Sequence, residues 1–143
     1  MSAYQTNLLY LLSGVFFLLS CSDPVAKQSQ QSLPELYDQA MDLVEQSKLD
    51  SAQILFGQIV QRDSTQYTAL LGLAEIHMRN RRIEKAIPFL QRAIRVDTTR
   101  VDAPFQLAQA YRMVGREDRA RPLLKLIVSR FPTFTPALSL IHI

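Results

Sequence analysis

Alanine recurs in this chain at a fixed step, and that step constrains the fold more than any other feature. Ala40, Ala74 and Ala108 stand 34 residues apart, and Ala52, Ala86 and Ala120 repeat the interval. The chain from 33 to 134 therefore divides into three units, 33–66, 67–100 and 101–134, with no insertion. The other columns agree. Position 24 of the units holds Phe56, Leu90 and Leu124, position 27 holds Ile59, Ala93 and Ile127, and position 11 holds Leu43, His77 and Tyr111. Small residues recur where two helices would cross closely, with large apolar residues around them. A repeat of this length is one supersecondary unit that buries its apolar face only against its neighbours.

Inside each unit the apolar spacing is helical. Leu70, Leu73, Ile76 and His77 form one stripe, and Ala86, Leu90, Ala93 and Ile94 form another. Polar breaks separate the stripes: EQSKLD, RNRRIE and VGREDR. Asp50, Glu84 and Asp118 share position 18, where a carboxylate favours the start of a second helix. Pro34 and Pro104 fit a first turn. Pro88 and Pro122, both at position 22, are tolerable only near a helix start, so they support a break just before. Glycine is scarce and few runs alternate apolar with polar, so strands are not expected. The fold class expected is all-α, an α-solenoid of helix–turn–helix units.

A small residue at position 8, alanine at 20, a large apolar residue at 24 and proline near 32 resemble the tetratricopeptide repeat. Unit 3 carries the fullest set: Leu107, Ala108, Tyr111, Gly115, Ala120, Leu124 and Pro132. Unit 2 keeps Leu73, Ala74, Ala86, Leu90 and Ala93, with Thr98 in place of proline. Unit 1 departs most, with Gln39 and Ser64, and is expected to serve partly as a cap. The resemblance implies a superhelix whose first helices line a concave groove for a protein or peptide ligand. Its groove positions fall on Tyr37, Met41, Val44 and Glu45, then on Leu71, Glu75, Met78 and Arg79, and finally on Phe105, Gln109, Arg112 and Met113. Methionine-rich surfaces adapt to partners, which suits a peptide or helix. The version of the family that clamps a terminal carboxylate uses Lys and Asn at positions 5 and 9; Tyr37 and Met41 stand there instead.

The N-terminal segment has a different character. Leu8 to Leu19 reads LLYLLSGVFFLL, 12 residues broken only by Ser13 and Gly14. A spanning helix needs about 20 apolar residues, whereas the apolar core of a signal peptide needs about 7–15. Leu18-Leu19-Ser20-Cys21 resembles the lipobox of bacterial lipoproteins. That resemblance implies a signal peptide over 1–20, lipidation of Cys21 and a mature chain that begins there. The leading MSAYQTN departs from the pattern, having no Lys or Arg. An uncleaved anchor helix, a signal peptide cut elsewhere and a buried structural cysteine stay open as other readings. Residues 21–32, after the cysteine rich in Ser and Gln, are expected to tether the anchor to the repeats. The expected location is therefore a bacterial envelope, on the periplasmic face of the outer membrane.

At the other end, Thr135, Pro136, Ala137 and Leu138 open a fourth unit. The closing LSLIHI resembles the translation of a transposase end sequence used in DNA library preparation, so residues 135–143 are expected to be a truncated fourth repeat ending in adapter-derived residues. No glycine-rich phosphate loop, His–Glu metal motif or nucleophile elbow occurs. A single cysteine makes neither a disulfide within the chain nor a zinc site alone. No catalytic residue, metal or cofactor is expected, and His77 is expected to pack near a helix crossing. Charge is uneven: unit 1 is net −4, unit 2 net +4 and unit 3 net +3. The basic run RNRRIEK, Arg79 to Lys85, suits a solvated edge, an acidic partner surface or anionic lipid; nucleic acid is not expected of an exported protein. The function expected is a lipid-anchored scaffold for protein–protein interactions, with self-association open. The rival reading is the docking arm of a longer enzyme, and a third is a soluble adaptor.

Overall fold

In the computed structural model of the chain, residues 31–141 are described. The apolar run Leu8–Leu19, Cys21, most of the tether and the final His142 and Ile143 lie outside them. Seven helices follow one another among the described residues, with no strand: α1 (Leu33–Glu45), α2 (Leu49–Arg62), α3 (Tyr67–Arg79), α4 (Ile83–Val96), α5 (Asp102–Met113), α6 (Glu117–Arg130) and α7 (Thr135–Ile141). Each packs chiefly on the next in the chain, which is the nearest-neighbour order of a helical solenoid. Two helices make one repeat, and α7 follows the third repeat and packs on α6.

The alanine columns explain the pairing. Ala40, Ala52, Ala74, Ala86, Ala108 and Ala120 are all fully buried. Without longer side chains between them, the two helices of a repeat approach closely and the large residues fill the flanks. Phe56, Leu90 and Leu124 at position 24 are among the largest fully buried side chains. Each core cluster joins one repeat to the next. Leu36, Phe56 and Ile59 of repeat 1 pack with Ala69, Leu73 and Ile76 of α3, and Leu124 and Ile127 pack with Ala137 of α7. Gly72 marks the tightest of these contacts: a Cβ there would sit 2.7–2.9 Å from the Phe56 ring.

The turn inside each repeat is built the same way three times. Position 15 is left-handed in all three: Ser47 at φ 60°, Arg81 at 59° and Gly115 at 74°. The next residue donates back to position 11, Lys48 to Leu43, Arg82 to His77 and Arg116 to Tyr111, each at 2.8 Å. The position-15 N–H donates to position 12 at 3.0 Å in every repeat. This is a Schellman closure, which satisfies the last carbonyls of the first helix. Only repeat 3 fills the left-handed position with glycine, the residue that occupies it without strain.

Between repeats, two of the three turns are tied by an aspartate. Asp63 Oδ1 accepts from the Thr65 N–H at 2.9 Å and the Thr65 hydroxyl at 2.6 Å. Asp97 does the same with Thr99, at 2.8 and 2.6 Å. These hydrogen bonds hold both carboxyls below the usual aspartate range. The junction of repeats 2 and 3 has a further tie. The Tyr67 hydroxyl accepts the buried N–H of Ala103, an otherwise unpaired donor of the first turn of α5, at 3.2 Å. Arg100 lies 4.2 Å over the Tyr67 ring and pairs with Asp102 at 2.8 Å.

Pro34 and Pro104 stand in the first turns of α1 and α5, as their spacing predicts. Pro88 and Pro122 follow the breaks at 80–82 and 114–116, each as the sixth residue of its helix. The carbonyl a proline cannot use there belongs to the helix's own first turn, so the loss is confined to one early hydrogen bond.

The left-handed position supplies a paired prediction. Gly115→Ala should lower the free energy of unfolding by about 1 kcal/mol, and Arg81→Gly should raise it by up to about 1 kcal/mol, measured by urea denaturation.

Candidate peptide-binding face

The exposed face of the first helices is set by what the core leaves over. On α1 and α3 positions 4 and 8 point inward, as with Leu36, Ala40, Leu70 and Ala74, and on α5 position 8 does, with Ala108. Positions 5, 9, 12 and 13 are turned away from that buried line, and they carry the residues the sequence assigns to the groove.

Those residues are not equally available. Tyr37, Leu71 and Phe105, all at position 5, are half-buried and lie against the core. Tyr37 meets Phe56 edge-on with ring centres 5.8 Å apart, and Phe105 meets Phe134 edge-on at 5.0 Å. Position 5 therefore forms an apolar floor rather than freely exposed side chains. Val44 and Met78 are also half-buried against the core clusters. Met41 and Met113 are open, at 38% and 56% exposure, and Glu75 is exposed. Gln109 and Arg112 are half-buried, and with Met113 of α5 and Leu140 of α7 they line a cavity of about 430 Å³. A second cavity, of about 380 Å³, lies where α1, α2 and α3 meet, with Tyr37, Asp38, Ile59 and Thr68 in its wall. The face is thus apolar below, rich in methionine, and carries scattered polar groups. Arg112 Nε lies 3.7 Å from Glu117, a pair that leaves most of the guanidinium's donors unused.

His77 is a packing residue. It is 7% exposed and stacks on Phe89 with ring centres 5.6 Å apart. Its Nδ1 is buried without a hydrogen-bond partner among the described residues. Burial holds its pKa below the ordinary histidine value of 6.5, and the charges of Lys85 and Arg82 push it the same way. Among the described residues no three His, Cys, Asp or Glu side chains are placed to hold a metal ion. No helix among them is long and apolar enough to cross a membrane. The aspartate ties, the tyrosine tie and the left-handed position were not singled out from the sequence. Asp63 and Asp97, and likewise Thr65 and Thr99, do stand 34 apart and offered that signal.

A stack of paired helices with an apolar, methionine-bearing face defines a class, the helical-repeat proteins that present one wall of the stack to partners. The family follows from comparison: residues 37–99 and 102–133 each match a tetratricopeptide repeat model, and the chain belongs to that family. No curated protein matches it. Among solved structures it is similar to MamA, with 25% identity and a TM-score of 0.74 over 82% of this chain and 68% of that one. It is also similar to the Yersinia enterocolitica type III secretion chaperone SycD in complex with a peptide of the translocator YopD. There the identity is 21% and the TM-score 0.72, over 77% of this chain and 89% of that one. A third is the first TPR of Spaghetti (RPAP3) bound to an HSP90 peptide, at 14% identity and a TM-score of 0.72, over 77% and 87% of the two chains.

The buried histidine predicts a pH effect of definite sign. The folded state resists the proton that the unfolded chain accepts, so this part of the stability is complete above about pH 6.5 and is lost as pH falls through the depressed folded value. His77→Leu, which copies position 11 of repeat 1, should flatten the stability profile between pH 7.5 and about 5 in urea titrations. A slope unchanged by the substitution would assign the effect elsewhere.

Proposed function

We propose that this protein is a lipid-anchored scaffold of a bacterial envelope whose first-helix face holds a peptide or helical segment of a partner protein. The observation that carries the reading is the apolar floor of Tyr37, Leu71 and Phe105 beside the open Met41 and Met113, continuous with the cavity at Gln109 and Arg112. Such a floor offers pockets for apolar anchors, and the half-buried amide and guanidinium fix orientation. The SycD and RPAP3 structures each contain a bound peptide, and YrrB, at 18% identity and a TM-score of 0.69, is a TPR protein with an unusual peptide-binding site. These precedents support the kind of ligand, and the residues of this chain supply its chemistry.

The anchor part of the proposal rests on the sequence Leu18-Leu19-Ser20-Cys21 after a 12-residue apolar run. Acyl chains contribute about 0.8 kcal/mol per buried methylene, so several on one cysteine hold a protein stably at a membrane. Residues 22–32 then separate the anchor from the first helix.

Two measurements test the two parts. Labelled palmitate should enter the wild-type chain in a bacterial host and be absent from Cys21→Ala; an unlabelled wild type would remove the anchor. A cognate segment found by peptide-display selection should bind at least about tenfold more weakly to the double variant Met41→Glu, Met113→Glu, since charging two open apolar contacts costs a few kcal/mol. The far-ultraviolet circular dichroism of that variant should match wild type. Unchanged affinity would move the binding site off this face.

A further inference from the structure

We propose that the edge formed by the turns inside repeats 2 and 3 docks an acidic stretch of the same protein ligand that occupies the first-helix face. The inference rests on the peptide-binding reading above and adds the charge of the partner. Three observations carry it. First, Arg79, Arg81, Arg82, Lys85, Arg116 and Arg119 are all exposed, and none has a carboxylate within ion-pairing distance among the described residues. Position 16 is basic in every repeat, as Lys48, Arg82 and Arg116, and position 19 is basic in repeats 2 and 3. The carboxylates on the same edge, Glu84, Glu117 and Asp118, lie in the first turns of α4 and α6, where the helix dipole favours them. They leave the edge of these two repeats with a surplus of positive charge.

Second, Arg81 occupies the left-handed position of its turn at φ 59°, where repeat 3 uses glycine. An L-residue there is strained. The strain holds an exposed, unpaired guanidinium at the tip of the turn, where glycine would offer the ligand nothing. Third, the edge is continuous with the peptide face. Arg112 and Met113 line the cavity of about 430 Å³, and the turn that carries Arg116 begins at the next residue. A ligand seated in the cavity thus leads directly onto the basic edge.

Repeat 1 limits the site. Asp38, Asp42 and Glu45 are exposed on α1, which has no basic residue, so an acidic stretch is repelled there and held over repeats 2 and 3. A lipid surface is the less favoured occupant. The chain enters the repeats at Leu33, and the basic turns lie at the other end of the first helices, roughly 20 Å away at 1.5 Å per residue.

The test uses the full chain and two fluorescein-labelled peptides that share one methionine- and leucine-rich half. One ends in four glutamates and its twin in four glutamines. At about 50 mM salt the glutamate peptide should bind roughly tenfold or more tightly than its twin, and the advantage should shrink as salt shortens the screening length. Arg81→Glu, Arg82→Glu, Lys85→Glu in one chain should bind the glutamate peptide no better than the glutamine twin, while keeping wild-type affinity for the twin. Arg81→Gly should also reduce the advantage even though it relieves strain, so a folding defect cannot explain the loss. Equal affinity of the twins for wild type overturns the inference and leaves the peptide face standing; binding of neither peptide overturns both. Phosphatidylglycerol vesicles form the last arm. If the triple variant loses vesicle binding while the twins bind alike, the edge is a lipid surface and the inference is overturned.

Discussion

Everything in this stack depends on how closely the two helices of a repeat approach. That distance is set where the columns of Ala40, Ala74 and Ala108 face those of Ala52, Ala86 and Ala120, all with no exposed surface. A methyl group is the largest side chain such a crossing accepts without shifting a helix, and overpacking of this kind costs about 1–3 kcal/mol. Once the pair is fixed, position 24 projects into the following repeat. Phe56 reaches the backbone of Gly72, where even one added carbon would fall 2.7–2.9 Å from its ring. One contact within the repeat and one between repeats thus determine where each first helix stands. The first-helix face and the basic edge inherit their geometry from those two contacts.

The columns that fix the stack were legible because they are periodic and apolar. Six alanines and three large residues at position 24 sufficed to divide the chain into units and to expect an all-α solenoid. What escaped was periodic but polar, or not periodic at all. Asp63 with Thr65 and Asp97 with Thr99 repeat at 34, but the third turn breaks the pattern with Phe131-Pro132-Thr133. Ser47 and Arg81 concealed the left-handed turn, since only Gly115 carries its usual marker. The bond from Ala103 to Tyr67 joins residues 36 apart and depends on the rotation from one repeat to the next, which no column shows. For the candidate face, the sequence names positions but not their exposure. Tyr37 and Phe105 turn into neighbouring aromatic rings because position 5 lies within reach of the core, so they became floor rather than open contact. Pro88 and Pro122 marked the breaks before them because, as sixth residues, they interrupt only the first turn's bonding.

The first repeat differs from the later ones along one face of its first helix. Position 3 holds Ala69, Ala103 and Ala137 in α3, α5 and α7, each fully buried. In α1 it holds Glu35, and position 10, buried as Ile76 and Ala110, holds Asp42. The face that the later first helices turn toward the preceding repeat is thus carboxylate-bearing on α1. Packing an apolar helix onto those carboxylates would strip their hydration, at several kcal/mol for each charge. Solenoids need such polar outer faces where stacking stops, and α1 has that composition.

The same separation of roles distributes charge along the chain. Positions 8, 20 and 24 must satisfy packing in every repeat and so tolerate little variety. Positions 9, 13 and 16 lie beyond the core's demands and differ from repeat to repeat: Met41, Glu45 and Lys48; Glu75, Arg79 and Arg82; Gln109, Met113 and Arg116. A regular scaffold therefore carries an irregular surface, changing from net negative in repeat 1 to net positive in repeats 2 and 3. A ligand without charge would meet similar apolar floors at Tyr37, Leu71 and Phe105 and would gain little by choosing among them. Discrimination between registers must come from the charged positions, because burying a like-charge pair costs several kcal/mol whereas sliding one apolar anchor to the next floor costs little. In this chain the packing columns shape the first-helix face, and the charge along it changes sign from repeat 1 to repeat 2.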